Sequence, residues 1–146
     1  MTETISKSLF LPAPRKAVWA WLTEPDKLVQ WFHAPKSALK DGEDYALLGK
    51  DSGDRLCWGT VEEMRPVDYM RWSFRVRPAP DAAGTVEWVR EDAPGGTKLS
   101  LTHSKLPGDS DGFGLILSLD KGWHEHLLSL REAVDAAALA EAAPAA

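Results

Sequence analysis

Cysteine is nearly absent from this chain: Cys57 is the only thiol in 146 residues, which excludes an internal disulfide and fits a reducing compartment. Basic charge is also in deficit, with 17 Lys and Arg against 22 Asp and Glu for a net charge of −5. The cations present (Lys7, Arg15, Lys16, Arg55, Arg71, Arg75, Arg77, Arg90) are scattered, so no nucleic-acid partner is expected, because such binding rests on neutralising phosphates. No apolar run approaches the ~18 residues of a membrane-spanning helix, and the opening MTETISKSLF carries a strand pattern in place of a signal peptide. A cytoplasmic protein with no membrane span is the expectation. No internal repeat is visible.

Tryptophan, by contrast, is abundant: Trp19, Trp21, Trp31, Trp58, Trp72, Trp88 and Trp123 are spread over every expected element. Each can bury about 150–250 Å² and carries one N–H that wants a partner, which suits a wall that is part core and part binding surface. The pattern suggests a cup for an apolar guest, with simple core filling as the competing reading of any single ring.

Ile5, Lys7, Leu9 and Leu11 share one parity and mark an opening strand, ended by Pro12 and Pro14. Val18, Trp21 and Leu22 then share a helical face over about 14–22, and Thr23-Glu24-Pro25-Asp26 opens a second short helix with Thr23 as N-cap. From residue 36 short β-runs alternate with turn signals at 41–42, 51–53, 65–68, 78–84 and 94–96, the spacing of an antiparallel meander. Met70, Trp72, Phe74 and Val76 form one face, as do Val86, Trp88 and Arg90, and Leu99, Leu101 and His103. Roughly 113–137 is the longest helical stretch, with Leu119, Trp123, Leu127, Leu130 and Val134 as its apolar stripe. Residues 1–137 are expected to form one domain, and the Ala-rich 138–146 to fray. The fold class is α+β: a curved antiparallel sheet of six to seven strands around a long C-terminal helix, with two short helices after the first strand.

Ala13-Pro14-Arg15, Val18-Trp19, Leu22-Thr23-Glu24-Pro25, Leu28 and Trp31-Phe32 resemble the N-terminal signature of the bacterial relatives of the activator of Hsp90 ATPase, in the START-like, helix-grip superfamily. The run from Gly59 to Pro66, the segment Leu99 to Ser104, and Gly122-Trp123 with Leu127 and Leu130 resemble its later elements, so the likeness covers about 5–134. The resemblance implies a β-α-α-β(6)-α fold with a cavity between sheet and long helix. Superfamily members bind lipids, sterols, polyketides or other apolar molecules there, some cyclise polyketides, and the activator group includes a co-chaperone domain. Such a fold carries many functions.

The expected cavity lining is Trp31, Phe32, Trp58, Glu62, Trp72, Phe74, Trp88, Arg90, His103, Trp123, His126 and Leu127. Glu62, Arg90 and His103 are the polar members that could orient a ligand in an apolar pocket. Two alternatives stay open: a β-bulge near Val61 would turn Glu62 to solvent, and Arg90 could close a strand end. Trp31 and Phe32 either gate the cavity mouth or seal the core against Trp123. Cys57 has the parity opposite to this lining and is expected to be an inert thiol.

His124 and His126 diverge by about 200° around a helix, so no metal site is expected. Gly108-Asp109-Ser110-Asp111-Gly112 matches G-x-S-x-G, but in an antiparallel setting with aspartates flanking the serine it is expected to be a loop leading to a helix N-terminus. Gly112-Phe113-Gly114 lacks the third glycine of a dinucleotide fingerprint, and no cofactor is expected. Binding of a small apolar or aromatic molecule is the favoured function, with no catalytic residue assigned. The alternatives are a cyclase-like enzyme using His103 or Arg90, and a chaperone-contacting module, which is not favoured. A homodimer through a sheet edge or face is compatible with the pattern.

Overall fold

The computed structural model describes residues 2–49, 52–77, 79–109 and 112–142. In chain order its elements are β1 (Thr2–Leu11), α1 (Arg15–Thr23), α2 (Pro25–Trp31), β2 (Ala34–Pro35), β3 (Asp44–Leu48), β4 (Arg55–Arg65), β5 (Tyr69–Val76), β6 (Ala79–Ala93), β7 (Gly96–Pro107) and α3 (Phe113–Ala142). The strands form one antiparallel sheet in the order β1-β7-β6-β5-β4-β3-β2. α3 covers the inner face, placing Trp123, Leu127, Leu130 and Val134 in the core. At 1.5 Å per residue its 30 residues span about 45 Å, enough to cross the whole sheet. This is the helix-grip arrangement. No helix among the described residues is long and apolar enough to cross a membrane.

Local chemistry explains most boundaries. Pro14 precedes α1, and Pro25 sits in the first turn of α2, where its missing N–H costs nothing. Thr23 is not an N-cap, however: it ends α1 and donates its Oγ1 proton to Trp19 O at 3.0 Å, leaving Glu24 to open α2 without a side-chain cap. The expected turn at 78–84 is also shorter, because β6 begins at Ala79 and pairs with Val76. Pro78 lies outside the described residues. α3 continues to Ala142, into the segment expected to fray, and 143–146 lie outside the described residues.

The parity of β4 decides which residues face the interior. Cys57–Val76, Trp58–Arg75 and Val61–Trp72 share one register, whereas Glu63–Arg71 and Met64–Met70 are shifted by one. The extra residue is Glu62, a bulge that turns its carboxylate to solvent, where Arg71 Nε lies 3.3 Å away. N-terminal to the bulge the buried positions are Cys57 and Val61, so Trp58 and Thr60 occupy the outer face. The assignment of Glu62 and Trp58 to the inner face is therefore corrected. Cys57 instead points inward.

Gly59 makes room for a contact across three strands. Tyr45 of β3 pairs with Gly59 of β4, and its phenol reaches over to donate to Ser73 O in β5 at 2.7 Å. Thr60 N in turn donates to Ser73 Oγ at 2.8 Å. A Cβ on Gly59 would lie 2.0 Å from Ser73 O, a clash with backbone that no rotamer relieves. Gly59→Ala should therefore cost more than about 2 kcal/mol in urea unfolding, whereas Gly114→Ala, with nothing within 4 Å of the added carbon, should cost nothing measurable.

Candidate functional site

Facing rows of rings fill most of the space between the sheet and α3. Tyr45 touches Trp72 (centroids 5.4 Å apart), Trp72 touches Trp88 (5.7 Å), and Trp88 touches both Trp31 (6.1 Å) and Trp123 (5.7 Å). Edge-to-face rings at these separations contribute about 0.5–1.5 kcal/mol per pair beyond the area they bury. Period-2 alternation in β5 and β6 aims Trp72, Phe74 and Trp88 inward, and the helical stripe of α3 brings Trp123 down onto them. Trp31 Nε1 donates to Trp21 O at 2.8 Å, which locks α2 against α1 and presents Phe32 at the end of α2 to the same cluster.

A cleft of about 120 Å³ remains at one end. Its walls are Phe32 and His33 after α2, Cys57, Phe74 and Val76 on the sheet, and Leu119, Gly122, Trp123 and His126 on α3. Phe32 lies 5.3 Å from Trp123 and 4.8 Å from His126, and Phe74 lies 5.6 Å from Trp123 (ring centroids). His126 Nδ1 is 3.2 Å from Trp31 O, joining α3 to α2 at the rim. Of the residues expected to line a cavity, Phe32, Phe74, Trp123 and His126 border this cleft. Trp31, Trp72, Trp88 and His103 are buried behind it, and Leu127 packs in the core toward β1.

His103, fully buried on β7, lies behind the cleft wall, bonded to Trp123. Its Nδ1 accepts the Trp123 indole N–H at 3.0 Å, so the proton of the neutral ring sits on Nε2. Burial lowers its pKa to about 4, and the imidazole is uncharged near neutrality. Gly84 makes space for it, since a Cβ there would lie 2.6 Å from His103 Nε2.

Arg90 is also inward and only 3% exposed, yet it belongs to the far end of the sheet. His103 pairs with Val86, four positions from Arg90 along β6, or about 13 Å. The guanidinium stacks on Trp19 at 4.3 Å and donates from Nε to Val67 O at 2.7 Å, while Nη1 and Nη2 have no partner among the described residues. Burial lowers its pKa to about 10, against the opposing pull of nearby Asp68. Glu62, Arg90 and His103 thus do not converge on one site. Burial pushes the Cys57 thiol up to about 12, which keeps it protonated and unreactive.

The contributions of Cys57, Gly122 and Leu119 were missed in the sequence. Once the Glu62 bulge is placed, pairing of Cys57 with Val76 assigns it to the cleft, and a glycine inside the α3 stripe is the sign of a gap in the wall. Ser110 and Asp111 of the G-x-S-x-G match lie outside the described residues; beside them, Asp109 Oδ1 accepts the Gly112 N–H at 2.7 Å just before α3.

Fold and site together define a helix-grip domain whose long helix closes an aromatic-walled cleft. The chain belongs to the family described as activator of Hsp90 ATPase homolog 1-like protein, whose sequence model matches residues 12–135. CalU16 from Micromonospora echinospora is similar in structure, with TM-score 0.75 and 23% identity over 91% of this chain and 76% of that one. MLL2253 from Mesorhizobium loti is similar with TM-score 0.78 and 20% identity over 91% of this chain and 97% of that one. The Aha1 dimer from Colwellia psychrerythraea gives TM-score 0.75 and 19% identity over 90% of this chain and 96% of that one. No curated protein matches the chain in sequence.

The buried imidazole has a consequence for stability. Because its folded pKa lies near 4 and its unfolded value near 6.5, the unfolded chain binds a proton first as pH falls. The contribution is intact above pH 6.5, is lost progressively between 6.5 and 4, and amounts to about 3 kcal/mol at the acid end. Urea unfolding at a series of pH values should show this loss in the wild type and a flatter profile in His103→Gln.

Proposed function

We propose that the protein binds a small apolar or aromatic molecule between α3 and the sheet, with a ring seated between Phe32, Phe74 and Trp123. The observation that carries this reading is the aromatic cleft bordered by bare helix backbone: a Cβ on Gly122 meets nothing within 4 Å. Its volume of about 120 Å³ is close to the ~150 Å³ apolar cavity that accepts benzene. A larger guest requires Phe32 and the end of α2 to move away from α3. A cytoplasmic setting suits the single buried thiol.

The cyclase-like alternative is weaker on the same chemistry. His103 spends its Nδ1 lone pair on Trp123 and holds no second proton near neutrality, so it serves better as a strut than as a general acid or base. The cleft reading is tested with indole as the probe, by amide shifts in 15N-labelled protein. Saturable shifts at His33, Leu119 and Gly122 are expected, with affinity at least about tenfold lower in Gly122→Leu, which fills the space. Equal affinity in that variant, or no shifts in the wild type, would remove the proposal.

A homodimer is a second part of this reading, favoured by an exposed apolar stripe. Leu117, Leu128 and Leu139 on α3 are 55%, 52% and 72% exposed and recur every eleven residues, three turns with a drift of about 20°. An antiparallel pairing of two α3 helices about Leu128 sets Leu117 against the second copy's Leu139, Lys121 against its Asp135 and Glu125 against its Arg131. Sedimentation over a concentration series should give a dimer that Leu128→Glu converts to monomer; a wild type that stays monomeric refutes this arrangement.

A further inference from the structure

The outer face of the sheet carries a second concavity that the cleft does not explain. It holds about 530 Å³, within the size range of small-molecule sites. The hollow has a readable cause in the side chains of this face. Ala46, Trp58 and Arg75 form one cross-strand row on β3, β4 and β5, and Asp44 pairs with Thr60 in the row beside it. The small residues Ala46, Gly59 and Ser73 make a floor, Trp58 rises on one side, and Lys36 to Ala38, leaving β2, closes the other.

The polar groups of the floor are already engaged. Thr60 Oγ1 donates to Asp44 Oδ1 at 2.7 Å, and Ser73 Oγ accepts from Thr60 N. Among the described residues that line the groove, the charged ones are Lys36, Arg55 and Arg75 with the carboxylate of Asp44. The Arg55 guanidinium lies 4.1 Å from the Trp58 ring, so charge and a flat apolar surface are presented together. This cation-rich lining occurs in a chain whose net charge is −5.

We propose that this groove is a binding site for a small planar-ring anion, the ring lying along Trp58 and its carboxylate or phosphate facing Arg55, Arg75 and Lys36. Planar guanidinium groups match either oxyanion in a two-pronged geometry, and the indole wall adds stacking area. The site is independent of the cleft beneath α3: it lies on the opposite side of the sheet and shares no lining residue with it.

The test uses the intact 15N-labelled protein with four probes: benzoate, phenyl phosphate, benzamide and inorganic phosphate. Saturable shifts are expected at Ala46, Thr60, Ser73 and the Trp58 indole N–H with benzoate or phenyl phosphate, and whichever binds more tightly identifies the anion. Benzamide and inorganic phosphate should each bind at least about tenfold more weakly, and affinity should fall as salt is raised. The double variant Arg55→Gln/Arg75→Gln should lose about tenfold in affinity, and Ala46→Phe, which fills the floor from the solvent side, should lose binding while leaving indole shifts at Gly122 unchanged. The proposal is overturned if benzamide binds as well as benzoate, if the shifts fall on Phe32 and Trp123 instead, or if no probe binds.

Discussion

The hydrogen bond from Trp123 to His103 is the tie on which the interior depends. It joins the middle of α3 to β7, and the rings of Phe74, Trp88 and Phe32 pack around the same indole. The bond requires an unprotonated Nδ1, and the burial that the rings impose is what keeps that nitrogen unprotonated. Packing and hydrogen bonding thus reinforce each other: loosening the rings would admit water, water would favour the imidazolium, and the imidazolium cannot accept. The gap at Gly122 is tolerable because it lies one residue away from this tie, where α3 contributes no side chain.

Those parts of the fold carried by strict alternation were legible in the sequence. Met70, Trp72 and Phe74, then Val86, Trp88 and Arg90, then Leu99, Leu101 and His103 all face inward, because β5, β6 and β7 stay in step over these residues. The long helix was legible from its 3.6-residue stripe. Among the strands that carry the site, the parity breaks in β4, where one extra residue inverts the assignments N-terminal to it. A bulge leaves little trace in composition, and the indole at position 58, a residue type that suits a core, stacks under Arg55 on the wet side. Thr23 misled for a related reason: its hydroxyl serves equally well as a cap for the next helix or as a donor to the preceding turn, and the structure uses the second.

The far end of the sheet shows what such a crowded interior costs. Val67 adopts φ +78 in the β4–β5 connection, a left-handed conformation that a β-branched side chain resists. Its carbonyl is the acceptor for Arg90 Nε, and Asp68, next in the chain, pairs with Arg15 of α1. The strained turn, the stacked guanidinium and the start of α1 therefore hold one another in place. A buried guanidinium with only one of its nitrogens bonded among the described residues is a poor source of stability, so its value there is in fixing geometry.

Four of the seven indoles form one cluster about Trp88, whose ring centre lies within 6.1 Å of those of Trp31, Trp72 and Trp123. At that spacing their electronic transitions mix, and excitation absorbed by one is delivered to whichever partner has the lowest excited state. The interior should therefore act as a single chromophore, with strong exciton bands in near-ultraviolet circular dichroism and emission that reports the surroundings of the whole cluster. An intrinsic optical signature of helix docking is in this way written into the residues that hold the helix down.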